Sequence, residues 1–346
     1  MIDPSQRADP EILSSSVGSA TTLQETTMKI ETAEGYCYEP VPTVNGANPY
    51  PPELLARSKD LLQGTLAMLE AMGPCAALAR DVMRRYPVHA ERTTQAAGVI
   101  GVAPVGLMTG NLCYDILAGT GAMACSTLAL PGEDGPVLAR NMDWFPAEKI
   151  AKASCVVREA YGENAGFLGM LGVVTGMSKA GFGLCLNAAF AGTDPQGYPM
   201  LLFLRHVLDT ATSFADALEM LQRERLMSGG IITLVGTRND ERAIVERVPT
   251  TAHVRRANAD EPLMATNHFR ALATPQVCSR YECMAERVGE VPALEVLTNR
   301  RILQEITAQH VVMCPATQSC KMFVPTHLRE APSVPMQMSD LINFVG

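Results

Sequence analysis

The stretch Cys125–Trp144, CSTLALPGEDGPVLARNMDW, governs how the rest of the chain is read. Two apolar runs flank PGEDG, and the Pro/Gly/Asp turn chemistry predicts a β-hairpin. Antiparallel pairing sets the two open ends side by side, so Cys125 meets the end that carries Arg140, Asn141 and Asp143. Two readings follow. Cys125 is a small buried hydrophobe in an ordinary hairpin, or it is a nucleophile whose partners arrive on the second strand. The small residues just before it, GTGAMA (119–124), predict a loop able to bend.

Outward from the hairpin, the chain has two textures. Upstream it is mostly helical. PPELLARSKDLLQGTLAMLEAMG (51–73) carries Leu54, Leu61, Leu62, Leu66, Leu69 and Met72 on one helical face behind a proline start, and reads as core. CAALARDVMRRY (75–86) and a helix pair over 93–121 follow, while GYCYEPVPTVNGANPYPPELL (35–55) reads as an extended arm. Downstream, strands surround SKAG (178–181), and a helix pair over 200–226 carries Thr212-Ser213 as a cap. A hairpin spans 229–248 and a strand 262–269. Helices are predicted over 280–291 and 293–306, and a last strand pair over 310–326. Antiparallel strands interleaved with paired helices predict an α+β protein with sheets held between helical layers.

Composition narrows the function classes. Of 346 residues, 47% are hydrophobic and 18% charged, enough apolar material for a large core. A net charge of −8 without a dominant basic stripe argues against nucleic acid, and RDVMRRYPVHAER (80–92) reads as a solvated helix end. No run of about 18 apolar residues offers a membrane span. The first residues include acids and lack an apolar signal core. The ten cysteines include no C-x-x-C pair, so neither a zinc site nor a disulfide framework is expected. No N-x-[ST] site occurs. No cofactor and no metal are expected, and the default setting is reducing and cytoplasmic.

A cysteine nucleophile needs a base and positive potential nearby. Among six histidines only His268, in ATNHF (265–269), is placed at a strand end, and no C-G-x-C-W context surrounds Cys125. A second source is internal. Cutting Ala124–Cys125 makes Cys125 N-terminal, and its own α-amine, with a pKa of about 7.7–8, takes the thiol proton near neutrality. Asp143 would orient that amine and Arg140 would favour the thiolate.

With these residues in place, CST…ARNMDW resembles the start of the catalytic chain in N-terminal-nucleophile amidases of the choloylglycine hydrolase superfamily, and within it the acid ceramidase / N-acylethanolamine acid amidase group. Further motifs share the resemblance: GFLGMLGVVTGMSKAGFGLCLNAAF (166–190) with Asn187, TATSFADALEMLQRERLMSGGIITLVG (210–236), ATNHF with Asn267, and SRYE with Arg280. VNGANPYPPELL (44–55) and GVAPVGLMTGNLCYDI (101–116) resemble the family's helical propeptide-derived chain, so the likeness runs over roughly residues 36–330.

The resemblance implies a four-layer αββα sandwich of antiparallel sheets with an N-terminal helical subdomain. It implies a loose tail over 1–35, a helical α chain over 36–124 released by self-cleavage, and a catalytic β chain over 125–346 that stays bound as a heterodimer. Its implied activity is hydrolysis of fatty-acyl amides through a thioester on Cys125, with Asn187 and Asn267 holding the oxyanion and Arg140, Asp143 and Arg280 framing the site. Relatives that act on bile salts, penicillins or acyl-homoserine lactones, acyltransferases, and a non-catalytic acyl-binding protein are the alternatives. Contact with a lipid surface is left open, and the small and Met-rich segment 101–124 is a candidate lining for an acyl channel. Trp144 is pocket lining or core. One departure is specific: ceramidases carry an acidic residue after the Asn187 position, where this chain has Ala188. The family's animal members are lysosomal, and this chain lacks their signal and glycosylation features.

Overall fold

The computed structural model describes residues 29–46, 49–120, 122–190 and 192–332. The expected tail falls mainly on residues 1–28, outside the described residues; Ile30 and Glu31 already form a short strand against Tyr38 and Cys37. One sheet has seven strands in the order β1 (Ile30–Glu31), β2 (Cys37–Pro40), β15 (Ser319–Pro325), β14 (Thr307–Cys314), β5 (Val137–Trp144), β4 (Met123–Leu130) and β13 (Leu263–Ala265). The other has eight: β12 (Thr251–Arg256), β11 (Arg242–Val248), β10 (Gly230–Val235), β9 (Phe182–Asn187), β8 (Thr175–Ser178), β7 (Gly162–Phe167), β6 (Ser154–Arg158) and β3 (Thr43–Asn45). Every pairing is antiparallel except β3 with β6.

Alternation along the strands builds the layers. On β4 and β5, Ala129 and Leu138 turn inward and meet Cys185, Ile231, Ile244 and Val311 in a core between the sheets. Leu128 and Ala139 turn outward onto α9 (Ser279–Arg287) and α10 (Ala293–Leu297), through Met284, Val296 and Leu297. On the far side, α7 (Met200–Thr210) and α8 (Phe214–Arg223) lay Phe203, Phe214, Leu218 and Leu221 on Ile232, Leu234 and Val245. The expected four-layer sandwich is what these contacts make. Ser213 caps α8 as read from the sequence, its Oγ accepting the Asp216 N–H at 3.2 Å.

The helices α1 (Pro52–Met72), α2 (Ala76–Arg85), α3 (Pro87–Ile100), α4 (Pro104–Asn111) and α5 (Cys113–Ile116) precede the hairpin, with α6 (Ala147–Ala153) and α11 (Thr326–Glu330) completing the described set. Between α1 and α2 the chain turns through 110°. Among the described residues no single helix is long and apolar enough to cross a membrane. The leucine face of α1 is core only in part: Leu54, Leu61 and Leu69 are buried, but Met72 is 41% exposed.

Candidate active site

The hairpin forms in the expected register, with Cys125 opposite Met142 and Ala124 opposite Asp143. One expectation fails. Met123 and Ala124 are not part of a bending loop; they already belong to β4 and pair with Trp144 and Asp143, so the Ala124–Cys125 bond lies inside a strand. The turn sits further upstream, where Gly119 takes φ +87°.

Cys125 is 4% exposed. Its Sγ accepts a hydrogen bond from Nη2 of Arg140 at 2.8 Å. The fully buried Arg140 also donates through Nη1 to Oγ1 of Thr175 at 2.8 Å, so its guanidinium spans from one sheet to the other. No carboxylate hydrogen-bonds to Arg140 among the described residues; its charge acts on both the Cys125 sulfur and the nearby Asp143 carboxylate. Burial pushes the Cys125 thiol pKa up and nearby Asp143 adds to this, while Arg140 and the backbone N–H groups of Asp143 and Ala188 favour the thiolate. The balance is a raised pKa, so the uncut chain holds a protonated thiol close to its future counter-charge.

The backbone of Cys125 is gripped as firmly as its side chain. Its N–H donates to Oδ1 of Asn267 at 2.9 Å. Arg280, at the start of α9, donates through Nη1 to the Cys125 carbonyl at 2.7 Å and to Oγ of Ser126 at 3.1 Å, and through Nη2 to Oδ1 of Asn267 at 2.8 Å. The same guanidinium lies 3.6 Å from Oδ2 of Asp143. Oδ1 of Asp143 accepts from Oγ1 of Thr307 at 2.7 Å, whereas the buried Oδ2 has no hydrogen-bond partner among the described residues. Burial pushes the Asp143 pKa up to about 6, with Thr307, Arg280 and Arg140 pulling the other way. Thr307 arrives through an irregularity: the register of β14 on β5 shifts between Thr307 and Gln309, which sets Thr307 opposite Asp143.

Asn187 has a different place from the one expected. Its Nδ2 donates to the carbonyls of Ala265 and Thr266, both at 3.2 Å, and its Oδ1 accepts from Thr127 at 2.7 Å. Both amide hydrogens are engaged in holding the strand that leads into Asn267. The site uses Ala188 through its backbone: the carbonyl accepts from Nδ2 of Asn267 at 2.7 Å, and the N–H favours the Cys125 thiolate. His268 is half-buried, takes no part in the bonds around Cys125, and has a pKa held below the usual imidazole value by burial, Arg280 and Arg270. Ser126, Thr175 and Thr307 are site residues that sequence reasoning missed; Ser126 adjoins Cys125 in the motif itself, whereas Thr175 and Thr307 are isolated hydroxyls from distant strands that leave no local signal.

Met142 and Trp144 line a cavity of about 50 Å3, together with Leu61 and Leu62 of α1 and with Leu107, Cys113 and Leu117. Trp144 is thus pocket lining, and the segment 101–124 contributes to the same wall.

A family model described as acyl-coenzyme A:6-aminopenicillanic acid acyl-transferase matches residues 130–310. The chain belongs to this family. The matched stretch of the acyl-transferase family model holds Arg140, Asp143, Asn187, Asn267 and Arg280, and begins just after Cys125. Among curated proteins, this family member is similar to the N-acylethanolamine-hydrolyzing acid amidase of Caenorhabditis elegans, 23% identical over an alignment of 165 residues that covers 42% of this chain and 46% of that protein. It therefore spans about half the length of that relative. Among solved structures, the Caenorhabditis elegans N-acylethanolamine-hydrolyzing acid amidase (NAAA) ortholog aligns with a TM-score of 0.48 at 20% identity, covering 56% of this chain and 93% of that one. The motif-based resemblance to amidases of this type is borne out at the level of the family.

Proposed function

We propose that this chain is an N-terminal-nucleophile amidohydrolase that cuts itself between Ala124 and Cys125 and then hydrolyses amides of fatty acyl chains, such as N-acylethanolamines or ceramide-like lipids. The observation that carries the reading is convergence on one residue. Arg140 holds the Cys125 sulfur, Asn267 its N–H and Arg280 its carbonyl, while across the strand pair Oδ2 of Asp143 faces Arg280 at 3.6 Å and accepts no hydrogen bond among the described residues.

In maturation, Sγ attacks the Ala124 carbonyl carbon, the C–N bond to Cys125 breaks, and the released nitrogen takes the proton. Water then hydrolyses the Ala124 thioester, leaving chains 1–124 and 125–346 associated. In turnover, the free α-amine of Cys125 removes the thiol proton and the thiolate attacks the acyl carbonyl. The oxyanion accepts from the Asn267 amide, which has one hydrogen not engaged by Ala188. The protonated amine hands its proton to the leaving amine as the C–N bond breaks, and water, deprotonated by the same amine, hydrolyses the thioester. Asp143 Oδ2 and Asn267 Oδ1 are the acceptors for the new amine, and the acyl chain enters at the cavity against Met142 and Trp144, which widens from about 50 Å3 to admit it. This route draws on no metal or cofactor.

The family's acyl-transferase description favours a second reading, in which an amine rather than water takes the acyl group from the thioester. Product analysis with added amines separates the two. Intact-mass measurement before and after incubation at acidic and neutral pH tests the central claim. Two fragments divided before Cys125 are expected, with Cys125→Ala uncut and inactive. Undiminished hydrolysis by Cys125→Ala sinks the proposal.

A further inference from the structure

The cavity beside the hairpin shares a wall with a much larger cleft of about 890 Å3: Ile100, Phe167, Leu168, Gly169 and Met170 face both. Within that wall the packing is close around Gly169. Gly169 has φ +86°, and a Cβ there would lie 2.6 Å from Cδ1 of Ile100 and 3.4 Å from Cδ1 of Leu107. Gly169 and the terminal methyl of Ile100 are thus packed against each other in the shared wall, beside Phe167, Leu168 and Met170. Ile100 is the last residue of α3, followed by Gly101 in the left-handed conformation, and its terminal methyl moves by a change of rotamer without moving backbone.

Past this partition the chemistry changes from apolar to charged. Ala96, Val99, Val157 and Leu171 give the cleft an apolar floor, while Arg92, Arg158 and Arg205 face it against Glu159 and Asp209. Arg205 is fixed, pairing with Glu159, donating from Nε to Asp209 at 2.9 Å, and stacking 4.4 Å from the Tyr161 ring centroid. Arg92 reaches Asp209 through Nη1, and Arg158 reaches Glu163 through Nε at 2.7 Å, so both retain further N–H donors. A blind apolar tunnel rejects an acyl chain with a charged end, because that end would lose its water without a partner. Here the far end of a long chain meets guanidinium groups.

We infer that the acyl channel is open-ended, continuing past Ile100 and Gly169 into this cleft, and that the substrate class includes long-chain acyl amides bearing a carboxylate at the far end of the chain. The inference rests on the amidase reading above. Arg92 and Arg158 pair with the terminal carboxylate, and Ala96 and Val99 cover the methylenes that lead to it.

The test is hydrolysis of synthetic N-acylethanolamines in three series by the self-processed enzyme: short acyl chains, long acyl chains ending in methyl, and long chains of equal length ending in carboxylate. In the wild type, kcat/KM for carboxylate-ended chains should equal or exceed that for methyl-ended ones. In Arg92→Gln and in the exposed-site variant Arg158→Gln, the carboxylate-to-methyl ratio should fall by about tenfold. In Ile100→Phe, the long-to-short ratio should fall for both endings. Turnover of short and methyl-ended chains with rejection of carboxylate-ended ones overturns this inference and leaves the amidase reading standing. An unchanged long-to-short ratio in Ile100→Phe overturns the open end. Failure to hydrolyse any of the three series overturns the amidase reading, and this inference with it.

Discussion

Arg140 is a fully buried guanidinium, held between Thr175 on one sheet and a cysteine sulfur on the other. Five fixed donors in one plane suit that double contact, and the point charge of a lysine does not. Arg140→Lys is therefore expected to lower kcat/KM by about 10²-fold and to move the alkylation of Cys125 by iodoacetamide to higher pH. An alkylation profile that stayed in place would remove Arg140 from the role given to it. At this scale the sequence was legible where function rests on side chains inside a contiguous motif, as for Cys125, Arg140 and Asp143. It was less so for Asn187, whose amide fastens a neighbouring strand, and for Ala188, where a backbone N–H and carbonyl act and side-chain identity carries no information.

Elements deliver these residues through register, and the bulge in β14 is the clearest case. A regular ladder would set Thr307 opposite the neighbour of Asp143 and turn its hydroxyl to the other face. The slip between Thr307 and Gln309 restores it to the carboxylate. Thr307 favours the ionised form of Asp143 against the burial that holds its pKa at about 6. Thr307→Val removes that hydrogen bond, so the pKa rises further and the carboxylate forms only at higher pH. The acid limb of kcat/KM should then move up by about one pH unit; a limb that did not move, or moved down, contradicts the link. Nothing local announces such a bulge. The predicted helix over 293–306 is also shorter: it stops at Leu297, and past it Asn299 accepts the Arg301 N–H while Glu34, far away in sequence, accepts from Nδ2 of Asn299 and from the Arg300 N–H. The hairpins and the Ser213 cap were readable because their signals are confined to a few neighbouring residues.

Across the whole molecule, the segment before Cys125 is stitched to the segment after it by contacts that a cut leaves intact. Arg85 donates to the carbonyls of Pro195, Gln196 and Gly197 at 3.0–3.2 Å, Tyr114 to the Gly229 carbonyl at 2.8 Å, and Asp115 accepts from the Met200 N–H at 3.1 Å. After cleavage the two chains should co-elute on size exclusion in buffer and part only in denaturant, with Arg85→Ala parting at lower urea. Separate elution in plain buffer would contradict this arrangement. The layered architecture was legible in the alternation of strands with helix pairs, whereas the packing of the helices before the hairpin against the cavity beside it was not, since a leucine that lines a cavity looks the same in sequence as one that fills a core. The extended strand through Ala124 has one more result. In the proposed maturation, hydrolysis turns a neutral amide into a carboxylate on the half-buried Ala124, directly opposite the buried carboxylate of Asp143. Repulsion would drive the fresh chain end out of the ladder, so the cut runs in one direction and the departing strand end unlocks the face of the nucleophile.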